Sequence, residues 1–286
     1  MRINLVSGLN EESTIESVFT PNQVYTWFLR EGFRVHHVDV RLIDGGHILQ
    51  EVPPEADHTI VVSSASSHLL RDATFIHNLR SSTSGKLACY MNIDKLRGVD
   101  RYFDYFFTQI GPVQYHPEKY VCVGWGVDPS YSYPEQEETA AFLDSRTLGP
   151  RQMKKVKAAY LIYDEVLPKA GITIYNPVHV YNVGDRRPYP EYQSLLRKCH
   201  FFLCTQFGEG GLNRLEAAAC GAMLVVPVRL YRERTMSLLN HRVWNTAEDL
   251  ISILHEEVDV EANRKRALEH SWEGVTKRII GVFENE

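Results

Sequence analysis

The stretch Cys199–Pro227, CHFFLCTQFGEGGLNRLEAAACGAMLVVP, concentrates the residues best suited to holding a polar ligand. An apolar run ends at Cys204 and a glycine-rich turn follows, so a strand is expected to feed a loop and then a short helix. Gly208, Gly210 and Gly211 let the backbone approach a ligand closely. The helix start at Leu212 and Asn213 offers unpaired N–H groups and the positive end of a dipole. Glu209 and Glu216 add two carboxylates around the same turn, suited to accept from the hydroxyls of a sugar ring or a ribose. Taken alone, the glycines serve equally well as a tight strand–helix connection, with Glu216 capping the helix.

Such a turn needs a sheet to aim it, and the chain reads as two α/β halves. In the first half the apolar runs Ile3–Val6, Arg34–Val40, His58–Ser63, Lys86–Asn92, Tyr102–Thr108 and Tyr120–Val123 are expected strands. Helices are expected over Gln23–Arg30, started by Pro21 and stopped by Gly32, and over Leu69–Leu79. In the second half, strands are expected at Ala141–Leu143, Ile172–Ile174, Val178–Tyr181, His200–Cys204 and Met223–Val226. Helices are expected at Arg151–Leu167, Glu191–Arg197 and Asn213–Cys220, the last stopped by Gly221, and in the tail from Ala247 onward. Apolar strands alternating with helices call for parallel sheets covered on both faces. A Pro- and Glu-rich stretch separates the halves. The expected division is 1–125, a linker 126–139, a second domain 140–268, and a C-terminal helix 269–286.

Four landmarks, in order, carry a family resemblance over about Val123–Ile280. They are VGWGVDPSYSYP (Val123–Pro134), PYPEYQSLLRKCHFFLCTQ (Pro188–Gln206), the glycine-rich turn with LEAAACG (Leu215–Gly221), and HSWEGVTKRI (His270–Ile279). Together the segments resemble the retaining, glycogen-synthase-like group 1 (family 4) glycosyltransferases. The resemblance implies an α/β fold of two Rossmann-like domains facing each other across a cleft (GT-B), with the last helix packing back toward the N-terminal domain. It implies a nucleotide-sugar donor, a UDP- or GDP-sugar, held by the second half. The family usually separates its two glutamates by seven residues; here Glu209 and Glu216 flank six. Aligning Gly211-Leu212 and Leu215-Glu216 with the family puts Gly208 where the first glutamate belongs, so Glu209 reaches the site only if the loop is rearranged.

After the first strand of the second half comes DSRTLGPRQMKK, Asp144–Lys155. There the family carries an arginine and a lysine on the donor phosphates. The resemblance gives Arg146 the arginine's role, while Arg151, Lys154 and Lys155 compete for the lysine's, Arg151 fitting best by spacing. Positive charge at that place would stabilise a departing diphosphate. The Lys pair alone reads equally as a solvated helix face. No DxD motif lies at a strand end, so no metal and no cofactor are expected beyond the donor itself. In the first half, Ser7 and Gly8 follow the first strand, where a loop would face the cleft and the donor. Asn92 and Asp94 follow the Lys86–Tyr90 run, where the family often has a polar residue beside the reacting sugar; an N-cap before a short helix is the alternative.

Bulk properties exclude several classes. The chain has 286 residues, 44% hydrophobic and 23% charged, with formal net charge −5. That is an ordinary globular composition with no global field for nucleic acid or anionic lipid. A local patch of Arg71, Arg80, Lys86, Lys95, Arg97 and Arg101 keeps a modified base in DNA open as acceptor, beside a glycan or a small molecule. Five scattered cysteines without a CxxC pair, no long apolar span, and an MRINLVSG start unlike a signal peptide lead to an expected cytoplasmic, reducing location without membrane insertion. Three activities fit the residues: a glycosyltransferase acting on a hydroxyl, a nucleotide-sugar epimerase or hydrolase, and a non-catalytic GT-B scaffold or nucleotide-sugar binding protein.

Overall fold

The computed structural model describes residues 1–63, 69–91, 100–109, 117–136, 138–143, 163, 165–175, 188–204, 212–231 and 239–285. The chain divides into two compact units, Met1–Gly126 together with Ser271–Glu286, and Val127–His270. The described helices are α1 (Pro21–Val35), α2 (Ala73–Ser82), α3 (Tyr189–Arg197), α4 (Leu212–Ala219), α5 (Ala247–Leu254), α6 (Val260–Leu268) and α7 (Trp272–Glu284). None is long and apolar enough to cross a membrane.

The first unit is built on six parallel strands: β1 (Arg2–Ser7), β2 (Asp39–Asp44), β3 (His58–Ser63), β4 (Leu87–Met91), β5 (Tyr105–Thr108) and β6 (Tyr120–Cys122). Their order is β2-β1-β3-β4-β5-β6. Val6, Val61, Cys89, Phe103 and Phe106 meet Phe75, Ile76 and Leu79 of α2 in a buried cluster. The aromatic run before and within β5 is therefore core. The strand order reverses between β1 and β3, the place where sheets of this kind open a crevice at their carboxyl ends.

Two expectations for this unit are corrected. Gly32 does not stop α1, which runs on to Val35, so Arg34 and Val35 are helical and β2 starts only at Asp39. The glycine serves packing instead. A Cβ on Gly32 would lie 2.8 Å from the Trp272 carbonyl oxygen and 2.8 Å from Thr276 Oγ1, both on α7. Beyond the last residue of α1 the chain turns away through His37, which takes the left-handed conformation (φ 57°), while the Val38 N–H reaches the Phe33 carbonyl at 3.1 Å. A non-glycine in that role leaves no sequence signal. The helix expected over Leu69–Leu79 is instead a 3-10 turn at Leu69–Arg71 followed by α2. Asp72 caps α2, accepting from the N–H groups of Thr74 and Phe75 at 2.9 and 3.1 Å.

The last helix belongs to the first unit. Trp272 stacks on Phe28 of α1 at 5.8 Å, and Phe283 stacks on His58 at 4.1 Å. His58 Nδ1 accepts from the Lys86 N–H at 3.1 Å. Burial is the main force pushing the His58 imidazole below its usual range; Lys86 and the N-terminus add to it and Asp57 opposes.

The second unit holds five parallel strands: β7 (Ala140–Leu143), β8 (Thr173–Tyr175), β9 (Phe201–Leu203), β10 (Met223–Pro227) and β11 (His241–Trp244). Their order is β8-β7-β9-β10-β11. Every residue of β7, β9 and β10 is buried, as continuous apolar runs in a doubly covered sheet require. Leu143, Phe201, Leu203, Val225, Trp244 and Leu250 share one core cluster. Most of the helix expected at Arg151–Leu167, and the strand expected at Val178–Tyr181, lie outside the described residues. Tyr163, Glu165 and Val166 are helical, and Leu167–Lys169 is a 3-10 turn. β11 is an edge strand that sequence reasoning missed.

Candidate functional site

In the second sheet the strand order reverses between β7 and β9. These two strands are paired, with Leu143 opposite Leu203 at their carboxyl ends. The segment carrying Arg146, Arg151, Lys154 and Lys155 therefore begins beside the segment carrying Glu209, Gly210 and Gly211, which in turn leads into Leu212 of α4. All seven of those side chains lie outside the described residues. Those segments start from Leu143 and Cys204, at the reversal of strand order, where sheets of this kind open a crevice.

All residues of α4 are buried, Leu212, Asn213 and Glu216 included. Gly221 ends it in the left-handed conformation (φ 88°), with Gly221 N–H on the Ala218 carbonyl and Ala222 N–H on the Ala217 carbonyl, each at 2.9 Å. That is the double bond of a glycine-terminated helix. A Cβ on Gly221 would collide with Val260 of α6. From α6, Asn263 Nδ2 donates to the Gly221 carbonyl at 3.0 Å, and Arg264 Nη1 donates to the Ala219 and Ser132 carbonyls at 2.7 Å each. The carboxyl end of α4 is thus pinned, and the helix holds one direction.

Glu216 does not cap the helix: it stands inside α4, 2% exposed, and faces α3. Tyr189 Oη donates to Glu216 Oε1 at 2.6 Å, and Gln193 Nε2 donates to Tyr189 Oη at 2.8 Å. Ser132 Oγ donates to Gln193 Oε1 at 3.3 Å. Tyr189 and Gln193 share one face of α3, four residues apart. Burial, and then the charge of Glu216, push the Tyr189 hydroxyl well above the usual phenol range. It keeps its proton and remains a donor. Sequence reasoning missed Tyr189, Gln193 and Ser132; the i,i+4 polar pair on an otherwise apolar-faced helix was the available signal.

In the first unit, Ser7 and Gly8 stand at the carboxyl end of β1, beside β3. The Ser7 hydroxyl accepts from the Leu9 N–H at 3.1 Å, and the Ser7 carbonyl from the Gly45 N–H at 2.7 Å. The Gly8 carbonyl accepts from Gln23 Nε2 at 3.2 Å. Asn92 and Asp94, which follow β4, lie outside the described residues, as do Lys95 and Arg97. Of the basic patch, Arg71 follows β3, two residues after Leu69, which lies beside Gly45 and the Ser7 carbonyl, whereas Arg80, Lys86 and Arg101 fall elsewhere. Arg80 bonds the Tyr102 carbonyl at 2.8 Å and Asp104 at 3.0 Å, Arg101 lies over the Tyr102 ring, and Lys86 over the Tyr105 ring. These groups ring the amino-terminal ends of β4 and β5. The length of β4, about 17 Å at ~3.3 Å per residue, separates them from the carboxyl ends where Ser7 lies and after which Asn92 follows.

No family model matches the chain, and no curated protein matches it. Solved structures do. Sucrose-phosphate synthase from Thermosynechococcus elongatus is 11% identical, with 99% of this chain and 98% of that one covered and a TM-score of 0.60. An alpha-glucosyltransferase in complex with UDP and a 13-mer DNA containing a HMU base is 12% identical, with 99% of each chain covered and a TM-score of 0.61. WaaG, a glycosyltransferase involved in lipopolysaccharide biosynthesis, is 11% identical, with 99% of this chain and 100% of that one covered and a TM-score of 0.58. The fold is the GT-B fold of these glycosyltransferases.

Proposed function

We propose that this chain is a glycosyltransferase that moves a sugar from a UDP- or GDP-sugar to a hydroxyl acceptor, with retention and without a metal ion. The observation that carries the reading is the meeting of the β7 and β9 carboxyl ends at the strand-order reversal. In sequence, the arginines and lysines follow the first of these ends and the glycine-rich turn before α4 follows the second. A diphosphate suits that combination of N–H groups, dipole and guanidinium. Chain-long likeness to glycosyltransferases, one of them solved with UDP, supports the class of ligand.

In this reading Arg146, with Arg151 and the Lys154–Lys155 pair, neutralises the diphosphate, Glu216 accepts from the ribose, and Glu209 accepts from the sugar. The bond from the anomeric carbon to the phosphate oxygen breaks while the acceptor oxygen bonds the same face of that carbon. The acceptor proton passes to the departing phosphate. Charge stabilisation by fixed cations and N–H groups is the large catalytic contribution of such a site. The first unit is assigned the acceptor through the loops after β1 and β4, where Ser7, Gly8, Asn92 and Asp94 lie. Arg80, Lys86 and Arg101 sit away from those loops, while Arg71 follows β3 on their side of the sheet, so a glycan, a small molecule and a modified base in DNA all stay open as acceptor. Five free cysteines, four of them buried, support a reducing compartment such as the cytoplasm.

The test is thermal melting with UDP, GDP, ADP and their sugar conjugates, first without added metal and then with EDTA. A nucleotide at 100 times its dissociation constant is expected to stabilise the fold by about 2.7 kcal/mol, undiminished by EDTA. Stabilisation that EDTA abolishes would remove the metal-free part of the reading. No stabilisation by any nucleotide would remove the whole of it.

A further inference from the structure

We infer that a cavity between α6 and the amino-terminal ends of β10 and β11 is a second ligand site, for a neutral polyhydroxyl compound such as the end of a glycan. Met223 and His241, the first residues of β10 and β11, line it. The length of β10, about 17 Å at ~3.3 Å per residue, separates it from the carboxyl edge of the sheet. The inference does not rest on the donor reading.

The cavity holds about 370 Å³, at the small end of the ~300–1,000 Å³ that ligand pockets occupy. Asp259, Ala262, Asn263 and Arg266 line it from α6 and its cap, at the spacing of one helix face. Asn263 is the buried member of that face, 1% exposed. Its Nδ2 donates to the Gly221 carbonyl at 3.0 Å. A carbonyl can only accept, so the amide cannot be turned round and Oδ1 is the atom left over. No donor reaches Asn263 Oδ1 among the described residues. A buried acceptor without a donor is costly, and the cavity is where a donor can arrive.

The charges around Asn263 select the class of ligand. Arg242 Nε is held by Glu256 at 2.7 Å, which answers that charge. Arg266 and Glu257, both exposed, have no ion pair or hydrogen bond from their side chains among the described residues. Asp259 accepts from the Ala262 N–H at 2.9 Å through one oxygen. His241 Nδ1 lies 3.0 Å from the Leu239 carbonyl, so Nδ1 carries the proton and Nε2 of the neutral ring is an acceptor. An anion would meet the carboxylates of Glu257 and Asp259, and a cation the guanidinium of Arg266. A hydroxyl both donates and accepts. A ring bearing several can therefore donate to Asn263 Oδ1 and to a carboxylate while accepting from Arg266.

The test follows amide NMR shifts of the full chain titrated with methyl α-glucoside, methyl β-galactoside, N-acetylglucosamine and maltose, and separately with inorganic phosphate and putrescine. At least one saccharide is expected to shift signals of β11 and α6, with neither charged probe doing so. Arg266→Ala and Glu257→Ala are each expected to weaken that saccharide by about 2–10-fold, the strength of one hydrogen bond. Melting temperature and the response to nucleotide should not change in either variant. Asn263→Leu is expected to weaken the saccharide at least as much, and the two exposed variants carry the test should it fold poorly. Phosphate binding strengthened by Glu257→Ala, or putrescine binding strengthened by Arg266→Ala, would make this a site for a charged ligand and overturn the inference. Saccharide binding indifferent to both variants, or no shift in β11 and α6 with any saccharide, would leave the cavity to water and overturn it too.

Discussion

Arg146→Ala is expected to lower sugar transfer by about 10²–10³-fold, the loss seen when one fixed group facing developing negative charge is removed. Arg146 is the third residue after β7, whose carboxyl end is paired with that of β9 at the reversal of strand order. In a metal-free site no divalent cation shares the diphosphate's charge, so an arginine that meets it carries an unusual share of the stabilisation. The nucleotide-dependent rise in melting temperature is expected to shrink in the same variant, because the diphosphate is already charged in the bound ground state. Without nucleotide the melting temperature should be unchanged. Arg146→Lys should restore part of the binding and less of the turnover, since an ammonium supplies charge without the forked geometry. Turnover unaffected by Arg146→Ala would assign the phosphate role to Arg151 or the Lys154–Lys155 pair.

Gly126→Ala is expected to be the most damaging single methyl group in the first unit. The added Cβ would fall on the Trp272 N and lie 2.6 Å from both Trp272 Cα and the Ser271 carbonyl carbon. All three are backbone atoms at the start of α7, so no side chain can swing away. Overpacking of this kind costs about 1–3 kcal/mol or more. The expected fall in melting temperature is roughly 5–10 °C for a unit of this size. The damage should localise, with amide exchange accelerating along α7 and the facing side of α1, where Trp272 packs on Phe28. Gly8→Ala is the control, since its Cβ would meet only Gln23 Nε2 at 3.8 Å. A melting temperature equally unmoved in both variants would mean that α7 does not hold its place against Gly126.

The difference between those two glycines also shows what was legible in the sequence. Buried parallel strands announce themselves as apolar runs, and β3, β7, β9 and β10 were found within a residue or two for that reason. Gly221 was read correctly as a stop because a left-handed residue after an alanine-rich helix has one common occupant. Gly32 looks the same in sequence and does the opposite: its neighbour is Thr276, which no local pattern can reveal. β11 escaped because an edge strand with one buried residue in four has no apolar run to show. At the candidate site, the glycine-rich turn and Glu216 were legible as chemistry. The direction in which Glu216 points was not, since its partner Tyr189 lies 27 residues away on another helix.

The central claim is a donor site at the carboxyl ends of β7 and β9, and the most direct measurement is a crystal structure of the protein grown with UDP, or GDP if that nucleotide stabilises it better, in the presence of EDTA. The account predicts diphosphate density outside Leu143 and Cys204 at the amino end of α4, with the ribose hydroxyls on Glu216. A nucleotide bound at the amino-terminal edge of either sheet, or at the end of β1 beside Ser7 with the β7–β9 crevice empty, would contradict it.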